Sequence, residues 1–267
     1  LAPILHSVLE SWWISPKPCI PHWFKAGWML LIPKPNKPPV HPRALRPLAL
    51  QEPLGKTVMG LLAAKAQNAI MPTITIWPIW SYLPKRSTQD AILRVVLHCK
   101  EVRTLLAAQR PTPFCRAKQT PRLRIAGGIG VFLDIERAFD MVSRPQLFTK
   151  LTAVGVPAPI AHILTLWHQE TGYYLFSHGE ETHIPVGRGL RQGCKAAPLL
   201  WNIYVLLFLA ELSKHVDRQW ILTCLNFYAD DGQLGNAFRS EAALDTLLSN
   251  LSTTLALLQE FGMTIRS

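Results

Sequence analysis

Leu225-Asn226-Phe227-Tyr228-Ala229-Asp230-Asp231-Gly232-Gln233-Leu234 is the stretch on which the reading of this chain turns. Apolar and aromatic residues lead up to two adjacent carboxylates, and a second short strand follows, the pattern of a β-hairpin with charge at its bend. Gly232 is expected to permit the tight turn. Two neighbouring carboxylates repel each other, so fixing both at a bend points to a divalent cation. An ordinary Asp-Asp-Gly surface turn has the same composition. The balance shifts toward a cation because a second stretch, Gly130-Val131-Phe132-Leu133-Asp134-Ile135-Glu136-Arg137-Ala138-Phe139-Asp140, again sets an Asp at the end of a buried-looking strand.

If the two strands are neighbours, Asp134 and Asp230 converge on one edge of a sheet, with Asp231 beside them. Three carboxylates there can hold two Mg²⁺ ions about 3.5–4 Å apart, an arrangement suited to in-line displacement at phosphorus. Mg²⁺ takes hard oxygen ligands and shares its shell with phosphates. Glu136 and Asp140 read as residues of a solvated turn or helix start.

Composition narrows the class. A hydrophobic content of 49% excludes a disordered tail. The five cysteines (Cys19, Cys99, Cys115, Cys194, Cys224) are odd in number and lack a Cys-x-x-Cys, which argues against a disulfide framework or a zinc site. The nine histidines show no metal-ligand spacing. The longest apolar run, Ala196 to Ala210, is interrupted by Asn202 and is too short to span a bilayer. The sequence begins with Leu rather than Met and is expected to be a fragment. Charge is segregated: residues 1–124 carry 18 Lys and Arg against 4 acids, and residues 125–267 carry 10 against 13. A basic half joined to a mildly acidic half that holds the Asp pair suggests one lobe gripping polyanion and another holding cations.

Along the chain, 11 of the 22 prolines fall in the first sixty residues, which leaves room for a helix only near Ile4 to Trp13. Residues 28–35 and 41–50 read as extended. A helix is predicted over Pro53 to Met71, and another from an N-cap at Ser87 or Thr88 to about Ala108. Residues 109–124, Pro-rich and basic, read as a loop between lobes. Helices are predicted after Ser143 and around Ile160 to Trp167, followed by a hairpin about His178-Gly179-Glu180. Gly187-Arg188-Gly189-Leu190-Arg191-Gln192-Gly193-Cys194 is a basic turn feeding a helix near Pro198, and a leucine-lined helix closes at Gly262. Strands and helices alternate without a βαβ repeat, so the fold class is α+β.

Phe-Tyr-Ala-Asp-Asp (227–231), Leu-Asp-Ile-Glu-Arg-Ala-Phe-Asp (133–140) and Gly-Leu-Arg-Gln-Gly-Cys-x-x-x-Pro-Leu-Leu-Trp-Asn (189–202) occur in one order. With Leu-Ile-Pro-Lys (31–34), Arg-Pro-Leu (46–48), Arg-Ser-Thr-x-Asp-Ala (86–91) and Phe-Gly-Met-x-Ile (261–265), the chain resembles the reverse transcriptase domain of non-LTR, LINE-like retrotransposons over nearly its whole length. The resemblance implies a right-hand polymerase with fingers over 1–124 and palm over 125–267, further fingers helices around 145–186, and the end of the palm and the thumb absent. It implies RNA-directed DNA synthesis with two Mg²⁺ ions, Mn²⁺ being a substitute, and with an RNA template, a DNA primer or target, and dNTPs as partners. Asp134, Asp230 and Asp231 then form the catalytic triad, with Ile135 added to the metal-holding positions. Phe139 matches the aromatic gate against a 2′-hydroxyl. Gln192 and Gly193 match a turn lining the nucleotide, and Arg46, Lys34 and Arg43 match triphosphate contacts. Arg86 is expected on template or primer backbone and Tyr228 near the primer end. Action in the nucleus, and in the cytoplasm as a ribonucleoprotein, follows from the same resemblance. No membrane and no obligate protein partner is read.

The chain departs from the family pattern at Ile79, Ser81, Lys85, Lys195 and Ala196, which bears on template handling. A non-catalytic nucleic-acid-binding remnant is therefore the alternative. An RNA-dependent RNA polymerase is disfavoured by Phe139, and an intron maturase by the spacing around 189–202.

Overall fold

The computed structural model describes residues 2–14, 17–36, 38, 41, 44–110 and 125–265. Arg43 and residues 111–124 of the predicted loop lie outside the described residues. In chain order the elements are α1 (Ala2–Trp13), α2 (His22–Lys25), β1 (Gly27–Pro33), β2 (Leu45–Gln51), α3 (Pro53–Ile74), α4 (Thr88–Ala108), β3 (Gly127–Asp134), α5 (Ala138–Met141), α6 (Arg144–Phe148), α7 (Ala158–His168), β4 (Thr171–Ser177), β5 (Glu180–Val186), α8 (Ala197–Leu212), α9 (Arg218–Cys224), β6 (Leu225–Tyr228), β7 (Asp231–Phe238) and α10 (Glu241–Glu260). The fold is α+β, as the alternation of patterns implies. It divides into two compact units, each made of two stretches of chain: residues 1–73 with 139–203, and residues 74–138 with 204–267.

The first unit carries a four-stranded sheet in the order β2-β1-β4-β5. Strands β1 and β2 pair antiparallel, with Trp28 opposite Leu50 and Ile32 opposite Arg46. Strand β4 joins β1 in parallel at Gly27 and Trp28 and continues into β5 through a two-residue turn. His178 and Gly179 in that turn have φ of 53° and 84°, the hand that matches the strand twist. Behind the sheet, α3 and α7 pack closely because Gly55 has no side chain: a Cβ there would lie 2.7 Å from Cη2 of Trp167. Phe24 meets the same indole edge-on at 5.6 Å between centroids.

The second unit is built on a three-stranded antiparallel sheet, β3-β7-β6. Helix α8 is apolar around its whole circumference, as expected of an enclosed helix, and the division between the units falls after Ile203 within it. From its second half Phe208 packs on Phe227 and Phe261, and the Tyr204 hydroxyl donates to the Phe261 carbonyl at 2.6 Å. Helix α4 lies on this sheet at two bare positions. A Cβ at Gly128 would overlap Val102, and one at Gly235 would overlap His98. Asn226 Nδ2 donates to the Ala91 carbonyl at 3.0 Å and ties the helix to β6. Among the described residues no helix is long and apolar enough to cross a membrane.

Of the two candidate caps for α4, Ser87 takes the position. Its hydroxyl accepts from the Asp90 amide, and the Asp90 carboxylate accepts from the Ser87 amide at 2.8 Å, a reciprocal capping box. Ser87→Ala removes one half of that exchange and is expected to cost about 1 kcal/mol. Hydrogen exchange of the first-turn amides of α4 should rise correspondingly, and unchanged exchange would refute the assignment.

Candidate active site

The two Asp-bearing stretches meet as the central ladder of the second unit. Asp134, at the end of β3, stands opposite Asp231, at the start of β7, and Tyr228 of β6 stands opposite Asp231 on its other side. Asp231 is therefore the carboxylate held directly across from Asp134. Asp230 sits one residue earlier, on the bend, where its carbonyl accepts from the Ile135 amide at 3.3 Å. That bond, the Ile135–Ile265 bridge and the Glu136 amide donating to Thr264 at 2.8 Å fix the chain just beyond Asp134. Glu136 lies exposed in the following turn, and Asp140 lies exposed on α5.

The bend differs from the sequence expectation. It is made by Ala229 and Asp230, and Ala229 rather than Gly232 takes a positive φ, 54°. Gly232 lies within β7, opposite both Leu133 and Phe227. A Cβ on it would stand 3.2 Å from the Phe227 ring and 3.3 Å from Leu133 Cβ, so the glycine serves packing, not turning. A left-handed alanine is uncommon and costs about 1–2 kcal/mol. Strand pairing on both sides of Asp231 holds it there.

Asp231 has its pKa raised above the ordinary carboxylate value, first by desolvation and then by the charges of Asp230 and Asp134. Tyr82, which no sequence signal marked, stands near Asp230: burial first, then Asp230 and Tyr228, raise its hydroxyl pKa. Thr88 donates to the Tyr228 hydroxyl at 2.7 Å. A cavity of about 330 Å³ opens here, with Asp134, Asp231, Tyr228, Thr88 and Gln233 in its wall. Among the described residues no three His, Cys, Asp or Glu side chains group closely enough to form a metal-holding cluster. The donor set is nevertheless of the right chemistry for Mg²⁺, which keeps waters and takes one or two carboxylates together with substrate phosphates rather than an all-protein cage.

Arg86 has a different environment from the one its sequence position suggested. Its guanidinium donates to the carbonyls of Trp77, Thr75 and Ile79 and lies 4.7 Å over the Trp80 ring. It thereby fixes the segment whose main chain bonds Phe227 on the edge of the sheet, through Trp80 and Pro78. Ile79, one of the departures from the family pattern, is a core residue at 1% exposure and bridges Phe227 in parallel. Ser81 is buried as well, and Lys195 is exposed.

The remaining candidates lie in the first unit. The half-buried Phe139 ring stacks on Trp201 at 5.4 Å and 29°, and its carbonyl accepts from Leu190 at 2.7 Å. The basic turn is clamped on two sides. Gly189, at φ 79°, leaves 2.5 Å between a would-be Cβ and the Asp140 carbonyl. Gly193, at φ 101°, leaves the same distance to the Ala49 carbonyl, while the Gln192 carbonyl accepts from the Ala49 amide at 2.9 Å. Both glycines are obligatory. Arg46 is exposed on β2, and Lys34 is half-buried just past β1.

Comparison with known proteins identifies the family of the chain. Residues 32–267 match the family described as reverse transcriptase (RNA-dependent DNA polymerase). The chain is 27% identical over 187 residues to the probable RNA-directed DNA polymerases from transposon BS and from transposon X-element of Drosophila melanogaster, covering 69% of this chain and 18% of each relative. It is 24% identical over 238 residues to the RNA-directed DNA polymerase from mobile element jockey, covering 86% of this chain and 22% of that one. The chain thus spans about a fifth of the length of these relatives. In fold it is similar to telomerase from Candida tropicalis bound to a TWJ fragment of telomeric RNA, with a TM-score of 0.59 at 12% identity, covering 99% of this chain and 44% of that one. The apo telomerase lacking its C-terminal domain gives a TM-score of 0.58 at 12% identity, covering 98% and 54%. The paired Asp strands, the aromatic after the first of them and the clamped Gln-Gly turn thus occur in a chain that belongs to the reverse transcriptase family, with sequences of the non-LTR retrotransposon kind as its relatives.

Proposed function

We propose that this chain is the catalytic region of an RNA-directed DNA polymerase that joins dNTPs to a primer 3′-hydroxyl on an RNA template. The observation that carries this reading is the carboxylate set at one end of the β3-β7-β6 sheet, with Asp134 and Asp231 in register and Asp230 on the bend between β6 and β7. Residues 125–267, which hold that set, read as palm with further fingers helices around 145–186, and residues 1–124 read as fingers. Asp134, Asp230 and Asp231, with the main chain at Ile135, are the groups that would hold two Mg²⁺ ions, or Mn²⁺ in their place. Bound there, the ions supply Lewis acidity, lowering the pKa of the attacking hydroxyl and neutralising charge on the triphosphate and departing pyrophosphate.

The protein's own part is orientation. The ladder holds Asp134 and Asp231 at one spacing, and Tyr228, held by Thr88, packs at the primer end. Phe139, whose ring is backed by Trp201, would be the aromatic gate against a 2′-oxygen. The clamped turn offers Gln192 and the bare backbone of Gly193 to the nucleotide, and Arg46, Lys34 and Arg43 bind the triphosphate. Arg86 serves this reading through the backbone it holds. The second reading, a nucleic-acid-binding remnant without catalysis, draws on the departures from the family pattern at Ile79, Ser81, Lys85 and Lys195.

Primer extension on an RNA template with Mg²⁺ and dNTPs separates the two readings. Asp230→Asn is expected to lower product by about two orders of magnitude or more while RNA binding stays nearly intact. No product from the parent chain, with salt-sensitive RNA binding retained, would favour the second reading. Phe139→Ala should increase NTP incorporation relative to dNTP, and an unchanged sugar preference would remove the gate assignment. A third test concerns charge alone. Because the folded-state pKa of Asp231 is raised, ionisation opposes folding above that pKa, and the penalty vanishes below the ordinary Asp range. Asp231→Asn should therefore stabilise the metal-free chain at neutral pH and lose that advantage in acid, as read by denaturation across pH. A variant equally or less stable at neutral pH would contradict the mutual repulsion.

A further inference from the structure

Residues 80–87 form a loop tied to β6 at both ends. At one end the Trp80 amide donates to the Phe227 carbonyl and the Phe227 amide to the Pro78 carbonyl, each at 2.9 Å, and Ile79 bridges Phe227 in parallel. At the other end Thr88 donates to the Tyr228 hydroxyl at 2.7 Å. Running parallel from the Ile79–Phe227 bridge, the two segments bring Tyr82 level with Asp230. The electrostatics agree with that register: burial first, then Asp230 and Tyr228, hold the Tyr82 phenol in its neutral form. Within the loop Ser81 and Leu83 are buried, at 2% and 5%, while Tyr82 between them is turned outward, 50% exposed. Tyr82 has a φ of 55° and Lys85 one of 60°, the left-handed region that side chains disfavour. Arg86 holds the loop in place by donating to the carbonyls of Thr75, Trp77 and Ile79. Strained backbone persists only where its surroundings over-determine it, and such strain gathers at functional sites. What the strain displays here is one aromatic ring beside a carboxylate.

We propose that Tyr82 is a primer-contacting residue whose ring packs against the last base of the primer strand. The inference rests on the polymerase reading of Asp230. Metal ions held at Asp230 act on the primer 3′-hydroxyl, so the nucleotide bearing that hydroxyl comes up against an exposed ring at the same level. Tyr228, tied by Thr88 to the far end of the loop, is read at the same end of the primer. A neutral ring suits this place. It offers a stacking face without adding negative charge to a site that already holds Asp134, Asp230 and Asp231 and must admit phosphates. Such stacking tolerates any sequence, because every base has a π-face. The contact uses the ring and not the hydroxyl. It secures the primer end and takes no part in the chemical step.

The test is the affinity of the chain for a DNA primer annealed to an RNA template, and for the same RNA unprimed, by fluorescence anisotropy with divalent ions absent. Tyr82→Phe, which keeps the ring, should bind primer–template as the parent does. Tyr82→Gly removes the ring and relieves the left-handed backbone, so it should melt above Tyr82→Ala. Both Tyr82→Gly and Tyr82→Ala should still lose about tenfold in primer–template affinity, the loss expected for one base–aromatic contact. Binding of unprimed RNA should stay at the parent level in all three variants. With Mg²⁺ and dNTPs present, the loss should appear in KM for primer–template, with kcat at saturation near that of the parent. Undiminished primer–template affinity in Tyr82→Gly, an equal loss in Tyr82→Phe, or a parallel loss for unprimed RNA overturns the inference, and the polymerase reading stands wherever the parent extends the primer. A parent that makes no product yet needs the Tyr82 ring to hold primer–template keeps the contact and removes the polymerase reading. A parent that makes no product and binds both nucleic acids alike removes both.

Discussion

The register between β3 and β7 is the constraint on which the acidic end of the structure depends. It sets Asp134 against Asp231, brings Gly232 under Leu133 and Phe227, and leaves two residues for the bend to β6. A slip by one residue would turn Asp231 to the other face and drive a side chain into the place Gly232 leaves open. The enclosed aromatic cluster of Phe208, Phe227 and Phe261 resists such a slip, because Phe227 can keep its packing only in this alignment. The hydrophobic core of the unit and the placement of its carboxylates are one problem with one solution.

The first unit solves a different problem. Its turn over residues 187–194 has little main-chain freedom, since glycines 189 and 193 each face a carbonyl at a distance only glycine tolerates. Arg144 and Arg191 fasten the same region by donating to carbonyls of chain segments far apart in sequence. Main-chain oxygens thereby do the work that carboxylates do in an ordinary ion pair. Rigidity is gained, and positive potential is left in the interior.

Much of this was legible in the sequence. Helix limits followed from apolar spacing and from Ser87 and Gly262, and the hairpin strands from short apolar runs between turn residues. The pairing of the two Asp strands was a conditional expectation that the ladder fulfils. What could not be read were environments created by distant chain. Gly232 looked like a turn residue because Asp-Asp-Gly composition favours turns, yet its role is set by Leu133, about a hundred residues upstream. Arg86 was expected on template or primer backbone, and nothing local announces the three carbonyls that receive it. Lys25 counted toward the basic half but is interior, as is Arg191 of the basic turn, since net charge carries no information about burial. Tyr82 belongs to no motif, Thr88 was read only within the 86–91 motif and as a candidate cap, and tertiary structure alone brings the two to the acidic bend.

The Arg86 guanidinium has a consequence for how this region opens. One side chain, rooted at the start of α4, holds the carbonyls of Thr75, Trp77 and Ile79, and that segment in turn bonds the edge strand β6 through Phe227. Fraying of the helix start, release of residues 75–80 and loss of the edge pairing are therefore one cooperative event rather than three. In the vocabulary of native-state exchange, the helix start and the acidic hairpin belong to a single foldon, and their amides share one protection factor.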